Sequence, residues 1–187
     1  MPPFTKQAII GSFVKLLNQK PLDKITVKDI VDDCGVNRNT FYYYFQDIYA
    51  ITDEVFRSET SKIIQDKEIY TSWQDTLMNA AKFALENKKA IYHIYNSVNR
   101  RFLEQYLYEI AGNSFIRLVK NKAGNLPISD TDIKLISDFY KFAFVGKILE
   151  WLACGMKYDA EDIIYRAGQL IEGNIENAIQ NSLKSHK

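Results

Sequence analysis

The stretch from Ile25 to Phe45, ITVKDIVDDCGVNRNTFYYYF, carries two helix starts and one helix stop in close succession. That spacing leaves room only for two short helices joined by a tight turn. Thr26 is an N-cap whose hydroxyl accepts from a first-turn amide, while Asp29, three residues on, reaches back to complete a capping box. Val27, Ile30, Val31 and Cys34 then share one face, Lys28, Asp32 and Asp33 point away, and Gly35 supplies the left-handed residue that ends a helix. Asn37 starts the second helix, with Val36 placed to staple onto Phe41. Phe41, Tyr44 and Phe45 form its inward stripe and leave Arg38, Asn39, Thr40, Tyr42 and Tyr43 mostly outward. Two such helices cannot bury their apolar faces alone, so a third is needed. Thr5 as N-cap and Ile9, Ile10, Phe13, Leu16 and Leu17, ending near Asn18, supply it, with Pro21 and Leu22 as the connection.

A second helix whose first turn carries Arg, Asn and Thr after a glycine-containing turn is the helix-turn-helix pattern of DNA readers. Arg38 suits guanine and Asn39 adenine by bidentate hydrogen bonding in the major groove. Thr40, Tyr42 and Tyr43 are placed for phosphates or, for Tyr43, a thymine methyl. Thr26 and Lys28 sit where a helix N-terminus favours phosphate. The run Gly35-Val36-Asn37-Arg38-Asn39-Thr40-Phe41-Tyr42-Tyr43-Tyr44-Phe45 also resembles the DNA-binding signature of TetR-family transcriptional regulators. Many members of that family carry lysine just after the closing Phe and again two residues on. This chain has Gln46 and Ile48 there, so the resemblance implies a phosphate anchor built from neutral donors.

Beyond Phe45 the pattern is helical throughout. Asp47 caps a helix marked by Ile48, Ile51, Val55, Phe56 and Ile63, and a loop is expected between Asp66 and Thr71. Trp73, Leu77, Ala80, Ala81, Ala84 and Leu85 mark the next helix, followed by a short one at Ile91, Ile94 and Tyr95 and a long one from Phe102 to Val119. Lys122 to Pro127 reads as a loop. Ser129 with Asp132 opens a helix that runs to Trp151 and Leu152 and stops at Gly155. Its second half is apolar almost all round, which requires packing partners on more than one side. Asp159 starts one last helix in which Ile163 through Ile179 keep helical spacing. No strand, repeat or low-complexity tract is present, so the expected fold is all-α. A three-helix DNA-binding domain covers 1–46 and a helical effector and dimerisation domain covers 47–187.

Lys plus Arg number 24 against 23 Asp plus Glu, a net charge of +1. Attraction to nucleic acid must therefore be local rather than global. His93 and His186, two dispersed cysteines and the lack of a phosphate-cradling glycine loop leave no catalytic or metal constellation, and no cofactor is implied. Cys34 and Cys154 fit reduced core thiols. The N-terminus lacks a secretory pattern and no run is long enough to span a membrane, so the expected compartment is the cytoplasm.

The last two helices resemble the pair through which TetR-family proteins dimerise. Independently of that, an all-round apolar helix followed by an amphipathic one leaves a face that a second copy would cover, unless the chain's own bundle absorbs both. The residues placed there are Phe139, Tyr140, Ala143, Phe144, Ala167, Leu170 and Ile171. Trp73, Tyr92, His93, Tyr95, Phe102 and Tyr106 either line an effector cavity, as the resemblance implies, or simply form core. The expected activity is a homodimeric regulator on double-stranded operator DNA, a repressor relieved by an effector. The alternative is a DNA-binding regulator whose C-terminal domain docks a protein co-regulator. Phe139-Tyr140-Lys141-Phe142, Glu150-Trp151-Leu152 and Gly155-Met156 are similar to the branch containing regulators of dihydroxyacetone kinase operons, some of which act as activators with a partner protein.

Overall fold

The computed structural model describes residues 3–65, 72–171 and 173–185, and among these the regular elements are all helical. The loop expected between Asp66 and Thr71, and His186, lie outside the described residues. In chain order the helices are α1 (Pro3–Leu17), α2 (Val27–Cys34), α3 (Arg38–Tyr44), α4 (Ile48–Gln65), α5 (Trp73–Glu86), α6 (Lys88–Tyr95), α7 (Arg100–Ala123), α8 (Asp130–Ala153), α9 (Ala160–Ile171) and α10 (Asn174–Ser185).

The chain packs as two compact units, Met1–Ser61 with Ala84–Tyr106 and Lys62–Phe83 with Leu107–Lys187. In the first, Ile9, Phe13 and Leu17 of α1 are buried with Ile30 and Val31 of α2 and Phe41 of α3. The connection between α1 and α2 belongs to this core. Leu22–Lys24 forms a 3-10 turn with Leu22 buried, where the sequence pattern indicates only a short link. Helix α6 packs on α1. The His93 Nδ1 hydrogen-bonds the Leu17 carbonyl at the C-terminal end of α1, 2.7 Å away. Farther along, the Phe56 ring meets Tyr106 with centroids 5.2 Å apart.

The second unit is organised on Phe115, fully buried on α7. Its ring lies 5.5 Å from Trp73, 6.0 Å from Phe144 and 6.2 Å from Tyr140. The second half of α8 divides its apolar residues as its composition requires: Phe144, Val145, Ile148, Trp151 and Leu152 are buried, whereas Phe139 is 72% exposed. Trp151 Nε1 donates to the Tyr158 carbonyl at 2.7 Å and fastens the turn into α9, where Gly155 and Met156 both hold positive φ.

Two expectations are corrected here. The single last helix is two, α9 and α10, because Gly173 takes φ 79. The turn keeps Ile175 and Ile179 buried, with α10 packed on α8, while helical spacing looks continuous across it. The start of α1 differs too: it begins at Pro3, a residue suited to a first turn because it has no amide to leave unsatisfied, rather than after a Thr5 cap.

Gly35, at φ 70, ends α2, and its amide donates to the Val31 carbonyl. A Cβ there would meet nothing within 4 Å, so any cost of substitution is conformational. Gly35→Ala is expected to lower stability by about 1–2 kcal/mol through left-handed strain alone. Urea unfolding of the full chain measures it.

Candidate nucleic-acid interface and partner surfaces

The turn between α2 and α3 is held at both flanks by caps. At α2, Asp29 N donates to Thr26 Oγ1 at 3.2 Å, and Thr26 N and Oγ1 donate to Asp29 Oδ2 at 2.8 and 2.7 Å. At α3, Asn37 Oδ1 accepts from Thr40 N at 2.8 Å and from Thr40 Oγ1 at 3.1 Å. Both hydroxyls read from sequence as phosphate contacts, Thr26 and Thr40, are therefore engaged in capping. Phe41 and Phe45 are buried, 5.9 Å apart, which turns the opposite side of α3 outward. Arg38 and Asn39 are exposed there, Tyr42 is 55% exposed and Tyr43 68%. The Tyr42 ring stands edge-on to Phe41 and that of Tyr43 edge-on to Tyr44, which limits their freedom. Lys28 and Gln46 are exposed as well.

Charge in this region is sorted by pairing. Lys6 pairs with Glu54, Lys15 with Asp33 and Lys20 with Asp29. Cations at the first two of these positions lie on α1 and the third follows it, so none is free for phosphate. Lys28 and Arg38 carry no ion pair among the described residues. Lys24, on the 3-10 turn before α2, is likewise exposed and unpaired, and sequence reasoning passed over it. Its only signal there is a cation two residues ahead of the Thr26 cap. The Asp29 carboxyl is pulled down to about 2, first by the Thr26 hydroxyl and then by Lys20. Asp33 is lowered by hydrogen bonds from Lys15 and Ser12. Burial pushes the Cys34 thiol up, the opposite of an activated thiolate.

The seven residues read as a pairing face, Phe139, Tyr140, Ala143, Phe144, Ala167, Leu170 and Ile171, all line one groove of about 610 Å³ between α8 and α9. Leu170 is 73% exposed on it. Its charged members are satisfied locally, Lys147 by Glu150 and Arg166 by Asp162.

The six residues read as cavity or core are distributed. Trp73 lies in the second unit, buried against Phe115, and borders a smaller cleft of about 350 Å³. Tyr92, His93, Tyr95, Phe102 and Tyr106 lie in the first unit. Among them Tyr92 is half exposed, His93 reaches α1, and Tyr106 is buried. The Arg100 guanidinium covers the Tyr95 ring at 4.2 Å and that of Arg101 the Phe102 ring at 5.1 Å. Among the described residues no group of His, Cys, Asp and Glu could hold a metal ion, and no helix is long and apolar enough to cross a membrane.

Residues 9–55 match the family model described as bacterial regulatory proteins, tetR family, and residues 71–173 match one described as transcriptional regulator C-terminal region. The families matched are of regulators, not enzymes. A curated relative, the HTH-type dhaKLM operon transcriptional activator DhaS of Lactococcus lactis, is 29% identical over 84 residues. That alignment covers 45% of this chain and 45% of the relative, so the chain spans about half the length of the curated relative it matches. Among solved structures, the dihydroxyacetone kinase operon activator DhaS superposes with a TM-score of 0.77 at 22% identity, covering 92% of this chain and 97% of that one. NalD, the secondary repressor of the MexAB-OprM multidrug efflux pump in Pseudomonas aeruginosa, superposes with a TM-score of 0.59 at 15% identity, over 88% and 93% of the two chains. At these identities the likeness to the solved structures is one of fold.

The lowered Asp29 carboxyl has a definite pH signature. Its cap and its pairing with Lys20 contribute stability that is fully present above about 4, the ordinary carboxylate range, and is lost as pH falls through about 2. Asp29→Asn is expected to flatten the acid-unfolding curve in that window, followed by circular dichroism, and to leave the curve above pH 5 parallel to that of the parent.

Proposed function

The chain belongs to the tetR family of bacterial regulatory proteins and is a transcriptional regulator, and we propose that it acts as a homodimer on a pseudo-palindromic operator. Residues 1–46 read the DNA and residues 47–187 dimerise and receive the signal. The observation that carries the DNA assignment is the outward edge of α3, where Arg38 and Asn39 stand exposed on a helix anchored from behind by Phe41 and Phe45. Arg38 reads guanine and Asn39 adenine from the major groove. Tyr42 and Tyr43 pack along the backbone or a thymine methyl, while Lys28, Lys24 and Gln46 hold phosphates. Thr26 and Thr40 serve by presenting the capped helix starts, whose amides favour anions.

The dimer is supported by the groove between α8 and α9. An apolar floor with an ion-paired rim suits an isologous contact, in which each copy offers the same face and no charge is stranded. Two copies present two α3 helices to successive major grooves, which lie about 34–36 Å apart. Signal reception changes that spacing and so operator affinity, by population shift. The first reading is repression by occupancy of the operator, relieved by an effector, in the cytoplasm where the target DNA is. The second reading, activation with a docked protein co-regulator, is favoured by the match to a relative named as a transcriptional activator. Transcription from the chain's own upstream region, with and without the gene, separates the two by sign.

On the upstream DNA, Arg38→Ala or Asn39→Ala is expected to cost about 1–3 kcal/mol and relax specificity at one base pair per half-site. Lys28→Ala is expected to weaken all sequences alike and reduce the salt slope by about one. Gel-shift titrations at several salt concentrations measure both, and unchanged binding by all three variants removes the α3 assignment. Ala143→Glu, at an exposed position on the groove, and Leu170→Asp are each expected to give a folded monomer by sedimentation. A mass equal to that of the parent removes the interface.

A further inference from the structure

The smaller cleft, of about 350 Å³, is bordered by the first turn of α5, the C-terminal half of α7 and the junction of α9 and α10. Its size falls at the low end of the roughly 300–1,000 Å³ range of small-molecule sites, which suits a metabolite-sized ligand. One wall is apolar, made by Trp73, Leu118 and Ile171. Trp73 is fixed in place by Phe115 and Phe144 behind it and by Gly168 of α9, where an added Cβ would come within 3.6 Å of the indole.

Arg117 borders the same cleft, part-buried, with no hydrogen bond or ion pair among the described residues. Its situation differs from that of Arg57, Arg100 and Arg166, each tied to a carboxylate four residues away on its own helix. One turn from Arg117 in either direction stand Asn113, Ser114, Lys120 and Asn121, so α7 offers it no carboxylate. Across the cleft Glu176 is paired through Oε1, 2.6 Å from Lys122 Nζ, while its Oε2 is buried without a hydrogen-bond partner. The hydrogen bond from Lys122, aided by the amides at the start of α10, holds the Glu176 carboxyl in its ionised form. Among the described residues that border the cleft, Lys122 and Glu176 pair with each other, and Arg117 is the cation that makes no ion pair. The carboxamides of Gln74 and Asn121 border the same space, adding neutral donors beside the guanidinium.

We propose that this cleft binds a small amphipathic organic monoanion, its carboxylate held by Arg117 with Asn121 and Gln74, and its flat apolar body lying against Trp73, Leu118 and Ile171. A guanidinium presents paired N–H groups that match a carboxylate edge, and the sequence has left those groups without an internal partner. The site assignment is independent of operator binding, since binding is measured on the full chain without DNA.

The experiment uses benzoate and phenylacetate as probes and benzamide as the uncharged counterpart of benzoate. Calorimetric titration is expected to give saturable binding of at least one acid below about 10 mM, with benzamide weaker by about tenfold or more. Arg117→Gln is expected to lose about tenfold while keeping the parent's circular dichroism and melting temperature, because it removes no internal partner. Arg117→Lys, which keeps the charge but not the fork, is expected to fall between. In a ¹H–¹⁵N spectrum the Trp73 indole resonance is expected to move on titration while that of Trp151, bonded to the Tyr158 carbonyl, stays. Failure of both acids to bind, equal binding of acid and amide, equal binding by parent and Arg117→Gln, or movement of Trp151 without Trp73 overturns the proposal. Loss of operator binding with benzoate binding intact would instead count against the DNA reading alone.

Discussion

The burial of Phe41 and Phe45 is the interaction on which the candidate DNA reader depends. Helix α3 has seven residues, and helices shorter than about 12–15 residues are marginal by themselves in water. Its existence therefore rests on the apolar side that docks into the core of α1 and α2, together with the Asn37 cap at its start. Anchoring the two rings also fixes the roll of the helix, and the roll decides that Arg38 and Asn39 face outward. Helix α2, eight residues long, is in the same position and uses the same solution: a capping box at Thr26, a left-handed stop at Gly35 and Ile30 and Val31 in the core. Each element is too short to stand alone, so the geometry of the reader is a property of the packed unit.

Electrostatics in that unit follows from who pairs with whom. A chain of net charge +1 has no general attraction for a polyanion, and the ion pairs made by Lys6, Lys15 and Lys20 reduce it further by using cations for internal bracing. The pairs are exposed or partly exposed, so solvent screening leaves each contributing little to stability. Their larger effect is selective. They neutralise Asp29 and Asp33, two of the acidic residues of α2, and leave Lys24, Lys28 and Arg38 as uncommitted cations flanking the caps. The positive charge available to a phosphate is thereby concentrated at the starts of α2 and α3, where helix amides already favour an anion.

The second unit poses a different problem, an excess of apolar surface. Phe115 collects Trp73, Tyr140 and Phe144 around itself, yet α8 still carries Phe139 and Phe142 outward and α9 carries Leu170. The break at Gly173 bears on this directly. By ending α9 there, the chain brings Ile175 and Ile179 of α10 into the core and leaves the groove between α8 and α9 uncovered. The same break brings Glu176 against Lys122 on α7, and that pair borders the smaller cleft, where Arg117 makes no ion pair among the described residues.

Much of this molecule was legible in the sequence because its signals are local. Caps at Thr26, Asn37 and Ser129, stops at Gly35 and Gly155, and helical spacing of apolar residues determined an all-α chain, the helix-turn-helix and the apolar surplus of α8. All seven residues read as a pairing face do share one groove, since helical periodicity alone places them on one side of α8 and one side of α9. Tertiary structure decided what depends on contacts between distant residues. It committed the Thr26 and Thr40 hydroxyls to caps and Lys6, Lys15 and Lys20 to ion pairs. It sent His93 to the end of α1, separated Trp73 from the aromatic residues grouped with it, split the last helix at Gly173 and left Arg117 unpaired. Spacing along a chain reports which side of a helix a residue occupies; only packing between helices determines what that side meets, and hence which polar groups remain free to act.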